Sequence, residues 1–155
     1  MNTKRTTLFM LAACLVLAGG TLAQEQKINR SELPKAVEKT VQEQSKGATI
    51  RGFSKEMESG QITYEAEMLV NGHSKDVQID ANGAVLEIEE QMDLQALPAD
   101  VRTGLHAKAG KGNITKVESI TKKDKLVAYE AQVVTDGKKS EVQVGPNGKP
   151  LDHEQ

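Results

Sequence analysis

The 155-residue chain carries 20 basic and 22 acidic side chains, three histidines and a single cysteine. Trp is absent and only two Tyr and two Phe occur, so base-stacking platforms and aromatic ligand cages have almost no raw material. The near-balanced charge leaves no electrostatic footprint for nucleic acid, and the length fits one domain or two small ones packed together.

Residues 1–23 read as a secretory signal peptide. Lys4 and Arg5 supply the positive start, residues 8–20 form an apolar run, and Thr21-Leu22-Ala23 offers small residues around a cleavage point. The run is too short for a transmembrane span, which needs roughly 20 apolar residues. Leu11-Ala12-Ala13-Cys14 offers a competing reading as a lipobox, with a lipid anchor at Cys14. That would shorten the apolar segment to residues 8–13 and set Leu15-Val16-Leu17 directly after the lipid, so cleavage after Ala23 is the better fit. The mature chain, 24–155, keeps every acidic side chain, loses Lys4 and Arg5 and so becomes more acidic, and has no thiol. Such an exported protein, periplasmic or secreted, can use neither disulfides nor a cysteine nucleophile.

Residues 24–30 read as a flexible leader. After them the chain repeats itself. Tyr64-Glu65-Ala66 recurs as Tyr129-Glu130-Ala131, and at the same offset Gly72, Val77-Gln78, Asn82-Gly83, Leu86 and Glu89 all find identical partners. Leu33-Pro34, Val37 and Ile50 recur at an offset shorter by one, as Leu97-Pro98, Val101 and Ile114. The spacing divides the chain into a repeat over 31–92 and a second over 93–155.

Each repeat predicts one helix and then a meander of strands. Pro34 suits the first turn of a helix, Ser31 is a capping candidate, and Leu33, Val37 and Val41 share a face that Gly47 terminates. Leu97, Pro98, Val101 and Leu105 repeat the pattern before Gly110. A strand is expected near residues 49–57. Next, Ile62, Tyr64, Ala66 and Met68 alternate with Thr63, Glu65 and Glu67. Asn71-Gly72 and Asp136-Gly137 mark tight hairpins. Val77 and Ile79 face inward with Asp76 and Gln78 outward, and Asn82-Gly83 turns into a last strand in which Leu86 and Ile88 alternate with Glu87 and Glu89. The expected fold class is α+β: a tandem duplication, each half a helix packed on a 3–4-stranded antiparallel sheet whose other face is polar.

The succession Leu-Pro, Val, Tyr-Glu, a Gly hairpin, Val-x-Val/Ile and Asn-Gly over residues 31–154 resembles the PepSY-like family. The resemblance is to its tandem form, whose fold is shared with the β-lactamase inhibitory protein. It implies an exported protein that binds or restrains peptidases or other enzymes outside the cytoplasm. These motifs are turn glycines and core positions, specific for a fold rather than an activity. Tight protein inhibitors rely on buried Trp, Tyr and Arg anchors. Here Tyr64 and Tyr129 belong to the helix-facing side, so no inhibitory residue carries over.

No catalytic constellation stands out. His73, His106 and His153 lack partners at metal-ligand spacing, and no Gly-x-Ser-x-Gly or phosphate loop occurs. No enzyme activity, cofactor or metal ligand set is expected. The candidate partner-binding surface is the outward sheet face: Glu65, Glu67, Gln78 and Glu87, with Glu130, Gln132, Glu141 and Gln143. The leading reading is a protein partner met through that face. The alternatives are a periplasmic module in which Glu65, Glu67 and Glu130 respond to a cation such as Ca²⁺, or a structural envelope protein.

Overall fold

The computed structural model describes residues 25–58 and 60–155, so the signal segment and Cys14 lie outside the described residues. Eight antiparallel strands follow one another in chain order across a single sheet. They are β1 (Gln26–Ile28), β2 (Thr49–Glu58), β3 (Gln61–Val70), β4 (His73–Asp80), β5 (Val85–Gln91), β6 (Asn113–Lys122), β7 (Lys125–Thr135) and β8 (Lys138–Val144). Helix α1 (Lys35–Gln44) enters between β1 and β2, and α2 (Ala99–Ala109) between β5 and β6.

This architecture corrects the expected α+β class, a tandem of halves that are each a helix packed on a 3–4-stranded sheet. β5 pairs with β6 from Glu87 opposite Lys122 to Gln91 opposite Glu118, so the sheet runs through without a break. Two separate sheets would each have left a row of backbone N–H and C=O groups unpaired at the facing edges, and joining them satisfies both rows. The result is a mostly β protein.

Pro34 and Pro98 stand immediately before the helices, as their fixed φ favours. Ser31 does not cap α1. It sits in a 3-10 turn, Arg30–Glu32, closed by the Asn29 N–H donating to Glu32 Oε2 at 2.8 Å. Val37 and Val41 of α1 pack with Phe53, Ala66, Met68, Val77 and Ile79, while Leu97, Val101 and Leu105 pack with Val117, Tyr129, Ala131, Val133 and Val144. The strand registers place all these sheet residues on one face. At Asn71-Gly72 the chain takes φ of 52° and 87°, the paired left-handed values that a two-residue hairpin demands.

Two further expectations change. Residues 26–28 are not a loose leader, because they pair with Phe53, Ser54 and Lys55 as β1. After Asn147-Gly148 no strand equivalent to β5 forms, and a single bridge joins Val144 to Pro150. Aligning the two Asn-Gly turns makes Pro150 the counterpart of Val85, the first residue of β5, and Pro150, which has no N–H to donate, makes that one bridge without a ladder following it. Gly148 (φ 74°) instead presses its turn onto α2, where an added Cβ would collide with the Asp100 carbonyl. β8 is therefore the outer strand.

A carboxylate cluster on the open sheet face

Among the described residues, no helix packs on the second face of the sheet. All four buried polar side chains belong to it: Ser54, Thr63, Glu118 and Gln143. Alternation in β3, β4 and β5 sends Glu65 and Glu67, Asp76 and Gln78, and Glu87 and Glu89 to that face. The registers then fix which of them meet. Glu67 lies opposite Asp76, and Asp76 lies opposite Glu89. On the next pair of strands Glu118 lies opposite Glu130. Like charges directly opposite one another oppose sheet formation, by up to about 1 kcal/mol per pair.

At the centre, carboxylate oxygens of Asp76, Glu89 and Glu118 lie within 4.8 Å of one another. Glu118 is only 4% exposed, and its Oε1 accepts from Ser74 Oγ at 3.3 Å and sits 2.6 Å from Lys116 Nζ. Lys116 is thus a built-in counter-ion. Glu130 accepts from Gln143 Nε2 at 2.7 Å, and Gln143 in turn holds the backbone of Gln155. Toward the other end, Gln78 donates to Glu56 at 3.2 Å and Glu87 pairs with Lys122 at 3.2 Å.

Burial and crowding raise the carboxyl pKa values. Burial, then the charges of Glu118 and Glu130, pushes Glu89 up to about 8. Burial and Asp76 raise Glu65 to about 7. Glu130 also reaches about 7 through burial, despite the opposing hydrogen bond from Gln143. Asp76 reaches about 6, because Lys116 partly offsets its burial. Near neutral pH the face therefore holds a mixture of protonated and ionised carboxyl groups.

The sequence-based candidates divide. Glu65, Glu67, Gln78, Glu87 and Glu130 do share this face, and Gln132, Glu141 and Gln143 extend it along β7 and β8. The expected cation set of Glu65, Glu67 and Glu130 is not the one whose ligand atoms converge. The converging triple is Asp76, Glu89 and Glu118, none of them among the sequence-based candidates: alternation turns Asp76 and Glu89 outward without singling them out, and Glu118 escapes the sequence reading altogether. Its signal is available in Lys116, Glu118 and Ile120 alternating with Val117 and Ser119.

No protein-family model and no curated protein matches the chain. Solved structures do resemble it. A Bacteroides eggerthii protein described as periplasmic is 18% identical with a TM-score of 0.62, over 76% of this chain and 85% of that one. A DUF2874 family protein from Bacteroides ovatus is 18% identical with a TM-score of 0.60, over 77% and 84%. A BLIP-like protein from Bacteroides fragilis is 23% identical with a TM-score of 0.59, over 79% and 85%. The likeness shows a shared BLIP-like fold. The expected export agrees with the periplasmic description of the Bacteroides eggerthii protein, and among the described residues no helix is long and apolar enough to cross a membrane.

Proposed function

We propose that this chain is an exported, non-enzymatic PepSY-like binding protein whose open sheet face receives a basic surface of a partner protein. In that role it modulates or inhibits a peptidase or other enzyme outside the cytoplasm. The observation that carries the reading is the run of directly opposed carboxylates, Glu67, Asp76 and Glu89, beside Glu118 and Glu130. Such a run weakens the isolated sheet, and violations of local rules concentrate where function requires them. Lys or Arg side chains from a partner would relieve the repulsion. The PepSY-like motifs and the BLIP-like neighbour support the family side of the reading.

None of Phe53, Tyr64 and Tyr129 lies on this face, since all three pack under the helices. Recognition would therefore be electrostatic rather than anchored, and strongly weakened by salt. It would also release protons, because a cationic partner favours the ionised forms of Glu65, Glu89 and Glu130. The test is affinity capture from extracellular or periplasmic extract, comparing the protein with its Glu65→Gln, Glu89→Gln, Glu130→Gln variant. A captured enzyme lost from the variant is the expected result, with calorimetric heats that vary with the buffer's ionisation enthalpy. Undiminished capture by the folded variant would place the interface elsewhere.

A second reading, a Ca²⁺-responsive module, draws on the converging oxygens of Asp76, Glu89 and Glu118. It requires millimolar Ca²⁺ to raise the melting temperature, and a thermal scan without any shift removes it.

A further inference from the structure

β8 is the outer strand, yet its Gln143 is only 6% exposed, whereas the equivalent Gln78, on the interior strand β4, is partly exposed. Both side chains sit on the open face. The segment that follows the Pro150 bridge reaches Gln143 there. The Gln155 N–H donates to Gln143 Oε1 at 2.8 Å, and Gln143 Nε2 lies 3.5 Å from the Gln155 carbonyl oxygen, so one side-chain amide pairs with one backbone unit. The same Nε2 donates to Glu130 Oε2 at 2.7 Å.

The duplication shows what this segment replaces. Aligning the two Asn-Gly turns makes residues 151–155 the counterparts of residues 86–90 in β5, with Leu151 matching Leu86 and Glu154 matching Glu89. In the first repeat that stretch forms a ladder with β4, in which Glu87 lies opposite Gln78. In the second repeat residues 152–155 stay exposed, Leu151 rests beside Gly145, and Gln143 supplies the hold that a ladder gives elsewhere. A segment held so lightly opens at low free-energy cost.

We infer that residues 151–155 form a detachable strap over the β7–β8 end of the open face, seated on Gln143 and displaced when a basic group comes to Glu130. The inference rests on the reading of that face as a receiver of basic surfaces, and adds a gate to it. Asp152 and Glu154 bring negative charge to a face already crowded with carboxylates. Burial raises the Glu130 carboxyl most, and the charge of Glu154 adds to it. An incoming Lys or Arg must lift the strap, so the apparent affinity falls in proportion to the fraction of molecules whose strap is open.

Gln155→Pro tests the strap, because it removes the N–H that bonds Gln143 and leaves every charge in place. In the purified variant, NMR should show the Gln143 side-chain amide exchanging faster with solvent and the Glu130 carboxyl titrating below its strapped value of about 7. Calorimetry at low ionic strength, with the peptide pentalysine as probe, should show the variant binding about tenfold more tightly, the factor expected when one net hydrogen bond holds the gate. An unchanged Gln143 amide would overturn the strap itself. A released strap with unchanged pentalysine affinity would remove the gate and leave the reading of the face standing. Weaker binding by the variant would also remove the gate, by making Asp152 and Glu154 part of the binding surface. Pentalysine bound by neither protein would sink the reading of the face, and the gate with it.

Discussion

The melting temperature should be highest near pH 5 and fall by about 10 °C by pH 8.5, opposite to the rise shown by proteins stabilised by paired carboxylates. The sign follows from the carboxyl groups of the open face. Glu65, Glu89 and Glu130 titrate at about 7, 8 and 7 in the folded protein against 4.5 for a free glutamate, and Asp76 at about 6 against 3.8. Between those limits the folded chain binds more protons than the unfolded chain. Stability therefore falls as pH rises through this window, and levels off once Glu89 has ionised. The four groups interact and titrate as a set, and each is partly exposed, so their shifts do not add. A loss on the order of 3 kcal/mol from pH 5 to 8.5 is the scale to expect. Below about pH 4.5 the trend reverses, since Glu38, held low by its hydrogen bond and charge pairing with Arg30, then loses that contact. Glu89→Gln keeps the shape and removes the worst-placed charge. It should raise the melting temperature at pH 8 and flatten the profile. A wild-type profile that is flat, or that climbs from pH 5 to 8, would refute the arrangement.

Local chemistry makes part of this legible in the sequence. Asn71-Gly72 and Asp136-Gly137 announce hairpins because few residue pairs tolerate two successive left-handed φ values, and both do form them. Alternation assigns Glu65, Glu67, Glu87 and Glu130 to the face away from the helices for an equally local reason. The β6–β7 turn is harder to read as a hairpin, since Lys123 and Asp124 take φ of 50° and 58° without a glycine to advertise it. Strand β1 is short and polar, and its partner, β2, begins only after the whole of α1 has intervened. The joining of β5 to β6 has no local signature, because α2 and its flanking loops lie between them. That one long-range register decides which carboxylates converge. It brings Glu118 beside Asp76 and Glu89, and it turns two expected polar faces into one.

The same register gives Lys116 its weight. Its ammonium lies 2.6 Å from Glu118 Oε1 in a site where Glu118 is nearly inaccessible, and it also holds down the pKa of Asp76. Removing one partner of a buried ion pair costs about 3–5 kcal/mol because the remaining charge stays buried without compensation. Lys116 is itself about one-quarter exposed, so the lower end of that range, about 3 kcal/mol, is appropriate. Lys116→Met should therefore lower the melting temperature by about 10 °C at pH 8. The deficit should shrink at pH 5, where neighbouring carboxyl groups are protonated and the repulsion that Lys116 offsets is weaker. An unchanged melting temperature at pH 8 would show that Lys116 does not serve as the counter-ion. The same variant separates the two functional readings. If millimolar Ca²⁺ stabilises wild type and variant alike, the cluster takes up a cation alongside the lysine, and the cation-responsive reading gains. If Ca²⁺ rescues only the variant, the ammonium already occupies the cation's place. The remaining carboxylates, Glu65, Glu89 and Glu130, would then be left for positive groups that a partner protein brings.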